Sequence, residues 1–437
     1  MRIYRKVSSP ELAFPVRLPK TFPKSSILEA LPADNGNMQI LRGLLGVAVV
    51  LGICLALSRN RRAIKQRVVW VGLALQVGLA AALFKTDWGK SAVGWLTVFA
   101  DKFLSFSYAG SQFVFGDLGQ KGGAFYLAFQ ALPMVIYFSA VTSALYHLGI
   151  LQVVVWAAGR LLGKLLGVSG AEAMSVVADI FVGMTEAPLV VRPYIEKMTQ
   201  SELLALMTGG LATIAGTVLG VYMAFVGNTY APHLIAASFM AAPAAIVLAK
   251  IVLPETEEPV TGKEVRLVLD KTATNLLDAI AHGVRDGLQL ALNIAAMLIA
   301  FYSLIALANW PLESLGTSLQ GILGFILSPF AWALGVDWND AARVGGLLGT
   351  KVVANEFIAY RDLQGMIQDS KLSPHAIVIS TYALCGFANF GSIGVVLGGL
   401  GQLAPSRRPD LARLAIPAMV TGALANCLTA AIAGALA

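Results

Sequence analysis

Charge is scarce in this sequence. Asp, Glu, Lys and Arg make up 13% of its 437 residues, about half the share of an ordinary soluble domain. Hydrophobic residues make up 57%, and the mean hydropathy is +0.72. No soluble core of this length hides so much apolar surface, and the same richness excludes disorder. Cysteine and histidine are also few. Cys54, Cys385 and Cys427 all sit in apolar runs and read as small buried hydrophobes. His147, His233, His282 and His375 stand apart, none at metal-ligand spacing. A disulfide framework, a metal cluster and redox or haem chemistry therefore have nothing to rest on. The net charge of +7 lies mostly in short loops, which is a topological signal and not a nucleic-acid patch.

What is abundant is apolar run after apolar run, each long enough for a helix to cross a bilayer core. The pattern predicts an all-α polytopic membrane protein with eight transmembrane helices: Gln39–Leu57, Val68–Phe84, Phe125–Leu148, Leu203–Val226, Leu234–Val252, Leu276–Trp310, Ile377–Leu400 and Leu414–Leu436. Residues 89–118 and 151–167 read as interfacial helices. Arg59, Arg61, Arg62, Lys65 and Arg67 form the densest basic cluster and place their loop inside. Both termini then lie outside. Residues 1–37 are polar and carry Pro10, Pro15, Pro19, Pro23 and Pro32 with no signal-peptide run. They read as an extension that is disordered or not native, with Met38 as an alternative start. Pro133, inside the third span, needs neighbours that satisfy the backbone it interrupts. Residues 253–272 form the only long polar linker in the body and would be cytoplasmic.

Two segments, about 170–198 and 336–371, are too polar and interrupted for clean spans. Each carries a central glutamate, Glu186 in GMTEAPLVV and Glu356 in KVVANEFIAY. Each is followed by a span with a Gly-rich break, Gly209–Gly220 and Leu384–Gly394. The first hairpin would enter from inside and the second from outside, an inverted repeat of residues 149–252 and 311–437. Residues 38–148 and 273–310 would supply scaffold helices. Paired interrupted segments of this kind mark the binding site of a transporter, because irregular backbone survives at membrane depth only where it is buried or lines a watery cavity.

Intramembrane carboxylates are costly and usually functional. Asp179, Glu186 and Glu356 are the three candidates, and Asp179 lies two helical turns from Glu186 if the arm is helical. Asn389 and Ser392 share a helix face, and Thr213 takes the analogous place at the other break. Arg192 and Lys351 lie near the hairpins but would snorkel to the interface. Two carboxylates, an amide and hydroxyls suit a neutral hydrogen-bonding solute better than an anion. The residues alone thus indicate a cation-coupled secondary transporter of a small polar solute.

At Gly183–Leu203, Lys351–Tyr360, Leu384–Gly401, Phe239–Pro259 and Gly335–Ala341 the sequence resembles the concentrative nucleoside transporter family, from about Met38 to the C-terminus. The resemblance implies a homotrimer in the bacterial inner membrane whose hairpin-bearing transport domain moves elevator fashion, importing a uridine-like nucleoside. It implies that Thr185 and Glu186 hold the base, that Glu356, Asn389 and Ser392 hold the ribose, and that Phe387 and Val218 make apolar contacts. A cation would sit at Asp179, the Val182 carbonyl, Thr213 and the Ile214 carbonyl. Met184 departs from the usual Gln, which would alter base selection. Asp179 departs from the usual Asn. Ionised it would hold Na+, and protonated it would carry H+. Na+ is favoured over H+ on the family default and the retained Thr213 hydroxyl, and no other cofactor is expected. The competing readings are an intramembrane enzyme with Glu186 and Glu356 as acid and base, and a passive channel.

Overall fold

A computed structural model describes residues 36–120, 126–227, 229–262 and 273–436. Most of the polar head at 1–37 and residues 263–272 of the polar linker lie outside the described residues. Every regular element among those described is helical. Helices α1 (Gly36–Leu57) and α2 (Gln66–Lys85) are joined by the basic loop, in which Arg61 Nε donates to the Leu55 carbonyl at 2.8 Å. A cation thus caps carbonyls that the helix end leaves unpaired. The expected interfacial segment is one continuous 29-residue helix, α3 (Asp87–Phe115). The third span opens with a π-turn over Leu127–Ala131 before α4 (Leu132–His147), so Pro133 falls in the first turn, where its missing N–H costs no helical bond.

Helix α5 (Ile150–Leu166) leads into the first hairpin. Its ingoing arm is α6 (Gly170–Ala178), started by a capping box between Ser169 and Glu172. Its outgoing arm is a 3-10 turn, Ala187–Val191, and the short α7 (Arg192–Ile195). A second capping box, Thr199 with Glu202, starts α8 (Gln200–Ala212). After a break at Thr213–Ala215 the chain resumes as α9 (Gly216–Val226), followed by α10 (Ala231–Val252) and the 39-residue α11 (Leu276–Ser314). Then comes α12 (Leu319–Ala333), a helix not anticipated from the sequence, bent by 117° from α13 (Trp338–Val353). Helices α13 and α14 (Glu356–Gln368) form the second hairpin. Helices α15 (Pro374–Ala383) and α16 (Phe390–Leu403) flank the second break, and α17 (Arg408–Leu436) ends the chain.

Seven helices among the described residues are long and apolar enough to cross a membrane. The remaining expected span, 377–400, is the broken pair α15 and α16. The order helix, hairpin, broken helix, long helix occurs twice, as α5 to α10 and as α12 to α17. The protein's own packing singles out the centre. The apolar window of α10 is 94% buried and that of α8–α9 89%, against 6% for α11. Small residues allow the close approaches, as where Gly43 and Gly46 of α1 meet Ala435 and Ala431 of α17.

Helix α17 packs on both broken helices and holds them together. The Lys351 ammonium of α13 donates to the Ala383 carbonyl, at the end of α15, at 2.9 Å and to Asn426 Oδ1 of α17 at 2.7 Å. The Asn426 amide donates in turn to the Ala212 carbonyl, at the end of α8, at 2.6 Å. The two breaks touch at Gly386, whose φ is +133°, and a Cβ there would stand 2.6 Å from the Ala212 oxygen. Glycine alone fits that approach. Lys351 is 1% exposed. The expectation that it snorkels is therefore corrected: the orphaned carbonyls at two helix ends draw it inward. Arg192, by contrast, is exposed.

Replacing Lys351 by Met leaves the Ala383 carbonyl and Asn426 Oδ1 unpaired in a dry core, which should cost about 3 kcal/mol or more. The expected outcome is a clearly lower thermal unfolding midpoint for Lys351→Met in detergent. An unchanged midpoint would show that the break is held by something else.

Candidate functional site

The second hairpin turns at Ala354–Asn355. The Asn355 side chain caps α14 by accepting from the Ile358 N–H at 2.9 Å, which places Glu356 in the first helical turn. Glu356 is 4% exposed. Its Oε1 accepts from the Tyr222 hydroxyl at 3.1 Å and its Oε2 from the Asn389 amide at 2.8 Å. Asn389 is itself the cap of α16, its Oδ1 accepting from the Ser392 N–H at 2.8 Å. One amide thus fixes the start of α16 with its oxygen and orients the carboxylate with its nitrogen. No hydrogen bond among the described residues uses the Ser392 hydroxyl. Two acceptors on Glu356 are taken and the others remain.

Tyr222 belongs to α9 and was not foreseen from the sequence. Its ring stacks on Tyr360 at 4.6 Å between centroids and meets Phe357 edge-on at 5.0 Å. Tyr360 is anchored through its hydroxyl to the Thr381 carbonyl at 2.7 Å. Tyrosines inside an apolar sequence read as packing, and nothing in their spacing discloses a carboxylate partner 134 positions away.

The first hairpin forms a different chemistry. Helix α6 stops at Ala178 and Asp179 caps it, so the two-turn relation of Asp179 to Glu186 is not realised. Asp179 is 2% exposed, and neither of its carboxylate oxygens has a hydrogen-bond partner. It faces the glycine pair of α8, where a Cβ at Gly209 would lie 3.0 Å from Oδ2. The Thr213 hydroxyl, in the adjoining break, donates to the Gly209 carbonyl at 2.9 Å, which leaves its lone pairs free. Among the described residues no hydrogen bond ends on the carbonyl of Val182 or of Ile214. A buried charge without partners is expensive unless a cation or proton meets it. Oxygen donors of this kind suit a hard cation, and no cluster of three or more His, Cys, Asp or Glu that could hold a metal occurs among the described residues.

At the tip Met184 lies against Gly210, Thr185 is exposed and Glu186 half-buried. Thr185 approaches Gly399 of α16, where a Cβ would be 3.5 Å from Cγ2. Gly399 is seven residues beyond Ser392, about 10 Å along the helix. One face of α16 thus runs from the Glu356–Asn389 pair towards the tip of the other hairpin. Val218 is buried on α9 and Phe387 half-buried in the second break.

The chain is similar to known transporters over most of its length. The family described as Na+ dependent nucleoside transporter matches residues 45–118 with its N-terminal part and 233–434 with its C-terminal part, and a nucleoside recognition gate matches 128–229. A chain described as an uncharacterized transporter of Haemophilus influenzae is 46% identical over 91% of this chain and 98% of its own length. Sodium/nucleoside cotransporter 1 of Rattus norvegicus is 43% identical over 90% of this chain and 63% of its own. CNTnw in an inward-facing substrate-bound state superposes with a TM-score of 0.87 at 43% identity, covering 91% of this chain and 99% of that one. A variant of it in an outward-facing state gives 0.85 at 42%, covering 91% and 97%. The chain is a multi-pass membrane protein and belongs to the Na+ dependent nucleoside transporter family.

Proposed function

We propose that this chain is a symporter that imports nucleosides, uridine among them, across a bacterial inner membrane on the Na+ gradient. The observation that carries the reading is the pair of unlike carboxylates in one buried core. Glu356 is oriented by Tyr222 and Asn389 with acceptors to spare, as a ribose diol requires, while Asp179 has no partner at all. Ser392 adds a hydroxyl for the sugar, and Thr185 and Glu186 at the tip of the first hairpin reach the base. Phe387 and Val218 give the ligand apolar walls, and Met184, packed on Gly210, tunes the choice of base. Na+ sits at Asp179, Thr213 and the carbonyls of Val182 and Ile214. A proton on Asp179 would quench one charge but leave both carbonyls unsatisfied, which favours Na+ over H+.

The repeated order of elements supports two inverted halves, 149–252 and 311–437, whose hairpins move together against a scaffold. Solved inward- and outward-facing states of a similar protein support an elevator movement. The scaffold helix α11 exposes Leu292, Ile299 and Leu307, an apolar face suited to lipid and to neighbouring copies in a trimer. Both chain ends lie on the periplasmic side in this reading. Family membership sets catalysis aside, and coupling to an ion gradient sets it apart from a passive channel.

The test is radiolabelled uridine uptake into proteoliposomes under a Na+ gradient, with a pH gradient run in parallel. Uphill accumulation driven by Na+ alone supports the reading. Accumulation driven only by inward H+ would reassign the coupling ion. No uptake with any nucleoside under either gradient would overturn it.

Two substitutions address the carboxylates separately. Glu356→Gln loses charge-assisted bonds to the ribose and should cut uptake by about 100-fold, with the unfolding midpoint little changed. Uptake within twofold of the parent would remove Glu356 from the sugar site. Asp179→Asn keeps an oxygen ligand but loses the charge, and should raise the Na+ concentration for half-maximal uptake by roughly tenfold, about 1.4 kcal/mol. An unchanged Na+ dependence would remove Asp179 from the ion site.

A further inference from the structure

Helices α5 and α12, which lead into the two hairpins, share a construction that the transport reading leaves unused. Each is bracketed by glycines at positive φ: Gly149 at +79° and Gly167 at +74° around α5, Gly316 at +71° and Gly335 at +110° around α12. In each half, one glycine marks the corner with the preceding long helix, α4 or α11, and the other the corner with the hairpin. The long helices α4 and α11 are joined to each other. The Ser143 hydroxyl donates to the Ala279 carbonyl at 2.7 Å, and a Cβ at Gly283 or Gly287 would stand 2.6 Å from the Ser139 oxygen or 2.8 Å from Ile136 Cα.

The two corners of each half are built differently. On the hairpin side the packing is close. A Cβ at Gly163 of α5 would stand 3.2 Å from Ala173 Cβ of α6, and one at Gly345 of α13 would stand 2.9 Å from the Gly324 oxygen of α12. Arg67 Nη2 donates to the Lys164 and Leu165 carbonyls at 3.0 and 3.2 Å. Leu334 and Val336, on either side of Gly335, are fully buried. On the side of the long helices the corners are open. Leu148 is 56% exposed and Leu315 75%, and a Cβ at Gly149 or Gly316 would meet open space. A fold gives first where buried contacts are few. One polar clasp spans each open corner. Gln152 Nε2 of α5 donates to the Tyr146 carbonyl of α4 at 2.6 Å. Asn309 of α11 donates to Gln320 Oε1 of α12 at 3.1 Å and accepts from the Leu319 N–H at 2.7 Å. One or two hydrogen bonds hold a corner without locking it.

We propose that α5 and α12 are lever arms fixed to their hairpins, and that the elevator movement turns on the open corners at Gly149 and Gly316, with Gln152 and the Asn309–Gln320 pair as the clasps that release. The inference rests on the elevator reading and goes beyond it by locating the hinges. Glycine at a hinge crosses between positive and negative φ without the penalty a Cβ imposes. Arms of 17 and 15 residues are about 25 and 22 Å long, so a turn of about 30° carries the hairpin end roughly 12 Å. With the halves inverted, one arm lies at each membrane face. Two hinges then guide the moving body at both ends, which favours translation over tilting.

The test welds helices in pairs, in a chain whose Cys54, Cys385 and Cys427 are replaced by Ala. Gly163→Cys with Ala173→Cys joins α5 to α6, and Tyr146→Cys with Gln152→Cys joins α4 to α5 across the open corner. Each pair is closed by a short bis-methanethiosulfonate and reopened by dithiothreitol, so every variant is its own control in uridine uptake by proteoliposomes under a Na+ gradient. Closing the α5–α6 pair is expected to leave uptake within twofold. Closing the α4–α5 pair is expected to lower it at least tenfold, with recovery on reduction. Loss of uptake with α5 welded to α6, or uptake within twofold with α4 welded to α5, would overturn the hinge. Should the α4–α5 variant be inactive even when open, Asn309→Cys with Gln320→Cys puts the same question to the other corner. A further pair tests the reading beneath. Met297 Cε of α11 is 3.2 Å from where a Cβ at Gly391 of α16 would stand, so Met297→Cys with Gly391→Cys bridges the two bodies and is expected to stop uptake. Uptake that survives this bridge would fail the elevator reading, and this inference with it.

Discussion

A helix broken inside a bilayer exposes carbonyl and amide groups that lipid cannot satisfy, and this architecture depends on how two such breaks are paired. Lys351 and Asn426 form the joint. One ammonium and one amide take up the last carbonyls of α15 and α8, while Gly386 lets the two backbones touch. A hydrophobic replacement could fill the space but not the carbonyls. The joint also selects which groups stay unsatisfied. With Ala212 and Ala383 paired, the Asp179 carboxylate is still without a hydrogen-bond partner, and no hydrogen bond among the described residues ends on the carbonyls of Val182 and Ile214.

The same economy governs Glu356. A carboxylate in a membrane core needs donors, and it receives them from two elements that must be placed correctly for other reasons: Tyr222, fixed by its stack on Tyr360, and Asn389, fixed as the cap of α16. The carboxylate is therefore oriented by groups that are already ordered, and in the proposed reading binding a sugar would not have to order them. Preorganised acceptors of this kind raise affinity by reducing what binding must freeze.

Much of this was legible in the sequence. Long apolar runs gave the spans, the two glutamates in broken segments gave the hairpins, and Thr213 and Asn389 fell at the breaks themselves. What was not legible has a common cause. Lys351 looked like a snorkelling cation because its partners, Ala383 and Asn426, are a backbone carbonyl and a residue 75 positions away. Tyr222 looked like packing for the same reason. Helix α12 was missed although its counterpart α5 was seen, because its mixed Gly and Ser run lacks the charges that mark α5 as interfacial. Asp179 and Glu186 seemed two helical turns apart, but the helix ends at Asp179 itself. Local pattern shows where a helix fails; it does not show which distant group repairs it.

Charge accounting explains why transport should be coupled and not merely assisted by an ion. Glu356 and Lys351, one charge of each sign, lie buried on opposite sides of one hairpin turn, so together they add little net charge to the core. Glu186 sits at a half-buried tip within reach of water. Buried Glu172 and Glu202 accept backbone N–H bonds and Lys250 stands beside Glu172, whereas Asp179 is buried without a donor or a cation. Carrying it through hydrocarbon uncompensated costs several kcal/mol on the mildest scales. In the proposed reading, one monovalent cation would remove that cost and tie the Thr213 break to the hairpin carbonyl at Val182. The break at Thr213 abuts the one that holds Asn389, so in that reading ion and sugar would act on two faces of a single joint. Movement with the ion site empty then opposes the membrane, and movement with it filled does not.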